Sequence, residues 1–497
     1  MKSHLLFALA LPTVVAAGCS STTITPATDA GSTDAGETPS ELALASGVSC
    51  KDTVDSIYAD PGALTAGDAS RGKILKCAEE ASITKEQLQG YLDGLKFKGT
   101  VANGAKVYRV LYQTTRGDGK STPGYSSAKV FVPNVPVVAS EVATVVVASG
   151  TRGQAGKCAV SKTPVDDKSD PALTMAYSTV GSGQPVVLHD GAGYANYGAK
   201  GNPMPGYAFS DDVGRSMLDG ARAARNLFSA LSPKAELVGH SHGGHMALSA
   251  LSMMETYGAG VDIVGVSLHS PFWISQRGWG ALLNKAVAQS LGLTVASSDF
   301  ISGIAIWYHY AHAEMLDGEG TGISLFKPEK QALVKKYLDE YCLMDANSTQ
   351  ISSLGAEYIV DVFDAPLVEA VKYYAPGLGD CGGEGKELCE KWAKRYADDR
   401  PHLTGKAKAV PILITYGTAD TTIPPNRMSC ATDRLTGDGA NVKMCYRDGA
   451  SHQGIVPESS EYVAAWLKAK AAGTDEPTAV CDAVPAATAC ATPPPND

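Results

Sequence analysis

The chemistry legible in this chain starts at Gly239-His240-Ser241-His242-Gly243, a Gly-x-Ser-x-Gly pentad. A serine hydroxyl attacks poorly unless the backbone presents it and a base takes its proton. The two glycines permit the tight bend that such presentation needs, because a Cβ at either position would crowd the turn. With 52 glycines in 497 residues, such a pentad arises by chance about 0.4 times, so the motif needs context. The apolar run Ala235-Glu236-Leu237-Val238 precedes it and His245–Leu251 reads as a helix. That context sets Ser241 on a strand-to-helix turn.

A serine nucleophile requires a histidine base and, as a rule, a carboxylate to orient it. Downstream, the apolar run Val410–Tyr416 leads into Gly417-Thr418-Ala419-Asp420. A carboxylate just past a buried strand sits at the edge of the sheet where ligands bind. The following polar loop, Asp448-Gly449-Ala450-Ser451-His452, supplies His452. Alone, Asp420 reads as a turn aspartate and His452 as a surface loop residue. In the order Ser241, Asp420, His452 they read as a catalytic triad. Asp448 is a weaker alternative acid, too close to His452 in sequence. The oxyanion would meet the backbone N–H of His242 and a second amide from Ser149-Gly150-Thr151-Arg152-Gly153, that of Thr151 or Gly150.

Elements able to position these residues alternate along the chain. Lys106–Thr115 and Ser126–Pro133 read as a hairpin around Arg116-Gly117-Asp118-Gly119. Thr144–Ala148 is a continuous β-branched run, the mark of a strand buried on both faces. Gln184–Leu188, Glu236–Val238, Ile263–Leu268 and Val410–Tyr416 read likewise. Arg215–Leu231 carries apolar residues at helical spacing. The alternation predicts a mostly parallel sheet flanked by helices. From Ile274 to Ala407 the strand signal disappears. Segments such as Glu329–Tyr341 and Tyr358–Tyr374 there predict a helical insertion, with Ile304–Tyr310 as a buried helix or the lining of an acyl channel.

The N-terminus reads as an export signal, with Lys2 followed by an apolar stretch from Leu5 to Ala17, too short to span a bilayer. Its end, Ala16-Ala17-Gly18-Cys19, resembles a bacterial lipobox, in which a lipid is attached to the cysteine; the family pattern usually has leucine where Ala16 stands. Ser20 resembles the outer-membrane sorting pattern of Gram-negative lipoproteins, and plain secretion is the alternative. With Cys19 assigned to lipid, the 11 cysteines leave an even set, as disulfide pairing in an exported chain predicts. Pairing neighbours gives Cys50–Cys77, Cys381–Cys389, Cys430–Cys445 and Cys481–Cys490, and leaves Cys158 with Cys342. A net charge of −10 without a basic run argues against a nucleic-acid partner.

These boundaries divide the chain into a signal peptide (1–18), a lipidated flexible linker (19–48), a first core segment (49–273), a helical cap (274–407), a second core segment (408–473) and a Pro/Ala-rich tail (474–497). The core resembles the secretory-lipase group of α/β-hydrolases, which includes fungal lipase A-type enzymes, over about residues 104–470. The likeness rests on Val110–Thr115 with Val130–Pro133, Gly150–Gly153 reaching Cys158-Ala159-Val160-Ser161, Leu218–Ala223, the Ser241 elbow and Gly417–Asp420. The family elbow commonly reads Gly-Tyr-Ser-Gly-Gly, so His240 and His242 are departures, as is Val160 where proline is usual. The resemblance implies an α/β-hydrolase fold with a helical lid, hydrolysis of a small ester or lipid through an acyl-enzyme, and no cofactor.

Three rival readings remain open. His240, His242 and His245 have the spacing of a His-x-His-x-Asp-His zinc motif, with His269 or His309 as further ligands, although Gly244 replaces the aspartate. A non-catalytic binding protein could keep the same scaffold. A serine peptidase would use the same chemistry, without an obvious acidic pair to hold a peptide amine.

Overall fold

Apolar segments whose successive side chains enter opposite cores explain the middle of the sheet. In Thr144–Ala148, Val146 and Ala148 pack into one buried cluster while Val145 and Val147 pack into another. Leu237 and Val238 divide in the same way, as do Ile414 and Leu413. A strand with two-residue periodicity and both faces covered must be apolar throughout.

The computed structural model describes residues 37–273, 276–296, 299–343, 350–375 and 377–477. Its nine-stranded sheet comprises β1 (Ile74–Ile83), β2 (Ala105–Thr115), β3 (Pro123–Pro133), β4 (Thr144–Ala148), β5 (Val186–Ala192), β6 (Lys234–His240), β7 (Asp262–His269), β8 (Ile412–Gly417) and β9 (Val442–Arg447). Their spatial order is β1-β2-β3-β5-β4-β6-β7-β8-β9. β1 to β3 are antiparallel, β3 meets β5 antiparallel, and pairing is parallel from β5 through β4 to β9. Helices α1 (Lys85–Gly94), α2 (Pro171–Gly181), α3 (Ser210–Leu227) and α4 (His242–Ser252) fall between the earlier strands. Between β7 and β8 come α5 (Gln276–Leu282), α6 (Lys285–Ser290), α7 (Asp299–Leu316), α8 (Pro328–Glu340), α9 (Ala365–Val371) and α10 (Lys386–Asp398). α11 (Pro425–Gly437) precedes β9 and α12 (Ile455–Ala472) follows it. α3, α4 and the inserted helices share one core, and α1, α2 and α12 share the other.

Some elements depart from the sequence reading. β1 carries charges that mask its alternation; it is an edge strand, and its Glu80 pairs with Arg109 of β2 through Nε at 3.0 Å. The helix expected over Tyr358–Tyr374 is a short 3-10 turn and α9, because Pro366 lies in the first turn of α9 and has no N–H to continue an earlier helix. The stretch expected to be flexible up to residue 48 is docked from residue 40 onward. Ser40 bridges to Val137, Leu42 is buried and the Ala45 N–H donates to the Leu227 carbonyl at 2.8 Å. Its polar average hides Leu42 and Leu44, which give the segment an apolar face. The signal segment 1–18, Cys19, linker residues up to 36, Cys481 and Cys490 lie outside the described residues. No helix among the described residues is long and apolar enough to cross a membrane.

Cys50–Cys77, Cys158–Cys342 and Cys381–Cys389 are disulfides, and Cys430 and Cys445 are both disulfide-bonded. The Cys158–Cys342 bond joins positions 184 residues apart and ties the loop after β4 to the end of α8. Closing so long a loop removes unfolded-state entropy. The double substitution Cys158→Ser/Cys342→Ser should therefore lower stability by about 2–5 kcal/mol in urea unfolding. An unchanged midpoint would contradict that role.

Candidate active site

Close backbone packing dictates the turn at Ser241. A Cβ on Gly239 would overlap the carbonyl of Gly243, and one on Gly243 would overlap that of Ala148. Absence of side chains at these two positions lets β6, the turn and the start of α4 press against the end of β4. Ser241 itself has φ 53° and ψ −120°, a left-handed conformation that strains any residue with a Cβ. Its N–H donates to the His269 carbonyl at 2.9 Å and its carbonyl accepts from Phe272 N–H at 2.7 Å. The end of β7 thereby holds the bend on both sides.

Ser241 lines a cavity of about 250 Å³ together with Gly150, Thr151, His240, Phe300 and His452. His452 lies in the loop after β9, and its Nδ1 is 2.7 Å from Oδ2 of Asp420, just past β8. The other Asp420 oxygen accepts the N–H groups of Thr422 at 2.9 Å and Ile423 at 2.8 Å. Burial would raise the Asp420 pKa, but the hydrogen bond and charge of His452, with the Ile423 amide, hold the carboxyl below its ordinary value. Asp448 accepts from the Thr418 hydroxyl at 2.8 Å on an exposed edge and is not the partner of His452. The loops that carry Asp420 and His452 are bound together, since Ala419 N–H donates to the Ala450 carbonyl at 3.0 Å and a Cβ on Gly417 would overlap that carbonyl.

The amide of His242 is the first of α4, where a helix N–H has no intrahelical acceptor. Gly150 and Thr151 line the same cavity, and the Thr151 hydroxyl is hydrogen-bonded to Tyr207 at 2.9 Å. Arg152 fixes their loop through an ion pair with Asp170, the N-cap of α2, and Nε donation to the Cys158 carbonyl at 2.9 Å.

The histidines suggested as zinc ligands serve three separate partners. His240 Nε2 donates to the His452 carbonyl at 2.9 Å. His242 Nε2 accepts from Ala208 N–H at 2.8 Å, and its ring stacks on Tyr207 with centroids 4.1 Å apart. His245 Nε2 donates to the Asp399 carbonyl at 2.7 Å. Burial drives His240 and His242 well below the usual imidazole range, reinforced by His452 beside the first and His245 beside the second. His269 is engaged with Ser459 at 3.0 Å and Thr415 at 2.9 Å, and His309 with Tyr396 at 2.9 Å inside the insertion. Among the described residues no group of three His, Cys, Asp or Glu side chains is disposed to hold a metal ion.

The Ile304–Tyr310 run forms part of α7 and is buried, while Ile304 and Trp307 also line a small second void, termed the inner extension, that shares the walls Thr151 and Phe300 with the cleft. Gln154 lines that extension too, a residue for which the sequence offers no signal.

The architecture is shared with solved structures. Lipase A of Candida antarctica is 17% identical, with a TM-score of 0.57 over 88% of this chain and 90% of that one. The rice cell wall degrading esterase LipA of Xanthomonas oryzae, in a ligand-bound form, is 17% identical, with a TM-score of 0.55 over 78% and 94%. The chain has the α/β-hydrolase fold. No family model and no curated protein sequence matches it.

Two outcomes follow from this geometry. Gly243→Ala should lower the urea midpoint by the equivalent of about 3 kcal/mol, and an unchanged midpoint would contradict the close approach to Ala148. Purified protein should carry no stoichiometric zinc by elemental analysis. Tightly bound zinc at one equivalent would contradict the separate engagement of His240, His242 and His245.

Proposed function

We propose that the protein is a serine hydrolase of carboxylic esters, acting through an acyl-enzyme. The observation that carries this reading is the strained Ser241 turn opening into the cavity that holds His452, itself hydrogen-bonded to Asp420. In this mechanism His452 takes the Ser241 proton through Nε2 as the hydroxyl attacks the ester carbonyl. Asp420 keeps the proton of His452 on Nδ1 and stabilises the imidazolium. The amide of His242, with that of Gly150 or Thr151, receives the oxyanion, where fixed donors in a water-poor cleft contribute most. His452 then gives its proton to the leaving alcohol, and water reverses the sequence to release the acid. The alcohol leaves first and the acid second.

The helices between β7 and β8 serve as a cap in this reading, with Phe300 of α7 reaching the cavity. The disulfides support function in an oxidising compartment, and the N-terminal pattern supports export with Cys19 as the lipidated residue. The substrate is a small ester or lipid, as the names of the lipase and the esterase with this fold suggest.

Ser241→Ala should abolish p-nitrophenyl ester turnover while leaving the thermal midpoint of the folded chain in place. Asp420→Asn should reduce kcat by about ten-thousandfold, since the imidazole would be held in the wrong tautomer. Full activity in either variant would overturn the assignment.

A further inference from the structure

The inner extension is closed off by α7 and α8 and shares Thr151 and Phe300 with the cavity around Ser241. Its walls are mostly apolar, formed by Ile304, Trp307, Leu338 and the ring of Tyr341, and no charged side chain lines it. Gln154 is the exception. It is 2% exposed, and neither its amide oxygen nor its amide nitrogen has a hydrogen-bond partner. A buried amide left without partners costs about 1–3 kcal/mol. Such a group calls for a partner, and the space beside it is where one would sit.

Tyr337 adds a second polar group to this space. Its hydroxyl lies against Gly303 of α7, at a place that a Cβ on that glycine would occupy. Gly303 and Tyr337 both line the extension. The free space amounts to about 10 Å³, enough for one water-sized group. An unsubstituted alkyl terminus there would leave the Gln154 amide unpaired. A carboxylate or ammonium would be desolvated without a counter-charge. A hydroxyl can both donate to the amide oxygen and accept from the amide nitrogen, and it is neutral.

We propose that Gln154 forms a specificity subsite on the acyl side of the cleft, which takes a neutral hydroxyl group carried on the acyl chain of the ester. This rests on the serine-hydrolase reading of Ser241. The preferred substrates are therefore esters of hydroxy acids, with the hydroxyl entering the space beside the Gln154 amide.

The test uses the full chain and p-nitrophenyl esters in matched pairs. These are butanoate against β-hydroxybutanoate, hexanoate against ω-hydroxyhexanoate, and octanoate against ω-hydroxyoctanoate, with acetate as the reference for Ser241 chemistry. At least one hydroxy ester should exceed its unsubstituted partner in kcat/KM by about tenfold, and the pair that does so locates the subsite along the chain. In Gln154→Leu that ratio should fall to one or below; Gln154→Met serves if the leucine variant does not accumulate. Ratios near one for every pair would mean that the extension takes no substrate hydroxyl, and would overturn the proposal while acetate turnover left the hydrolase reading intact. A hydroxyl preference that survives both variants would overturn the assignment to Gln154. Absence of turnover for every ester, acetate included, would remove the hydrolase reading and the subsite with it.

Discussion

The left-handed backbone of Ser241 is the constraint on which the rest of the site depends. A conformation of this kind costs about 1–3 kcal/mol and persists only where its surroundings allow no alternative. Here the surroundings are backbone atoms. The missing side chains of Gly239 and Gly243 bring three segments into contact, and a Cβ on Gly244 would lie 2.6 Å from the Cβ of Pro271. The bend is further held by the His269 carbonyl and the Phe272 amide. With the turn fixed, Ser241 lines the cleft past the end of β6, and His242 opens α4 directly after it.

The remaining groups come from separate loops, and each loop is tied to a neighbour rather than left to the solvent. His240 joins the Ser241 turn to the His452 loop through the His452 carbonyl, with the two rings 4.6 Å apart. Arg152 and the Cys158–Cys342 disulfide anchor the loop that offers Gly150 and Thr151. The inserted helices are locked down by Asp399, which accepts from Tyr308 and His312 of α7 at 2.6 Å each and from Ser210 N–H at 2.8 Å. Its backbone carbonyl accepts a hydrogen bond from His245 Nε2 at 2.7 Å. Removing one member of a buried polar set like this leaves the others unpaired, so the insertion and α4 are mechanically coupled.

Much of this was legible because the residues concerned obey short-range rules. The inner parallel strands announce themselves as apolar runs, and Ser241 and Asp420 each follow one, while His452 shows itself through its polar loop and its place in the expected order. β9 before it is a mixed polar strand that gives no such run. What escaped the sequence depends on long-range contacts. β1 is a charged edge strand whose Glu80 finds Arg109 only across the sheet. Leu42 and Leu44 look like isolated apolar residues in a polar linker until the surface near Leu227 is present to receive them. His240, His242 and His245 resemble a metal motif in one dimension; in three, each imidazole reaches a different backbone group. Gln154 carries no local signal at all, since its significance lies in having no partner once α7 and α8 have closed over it.

The central claim is that the strained turn makes one serine of this chain a nucleophile. It is tested most directly by treating the folded protein with a fluorophosphonate and mapping the adduct by peptide mass spectrometry. The account predicts a single phosphonylated residue, Ser241, and loss of that labelling in His452→Ala. Labelling at a different serine, or undiminished labelling of Ser241 without His452, would contradict it.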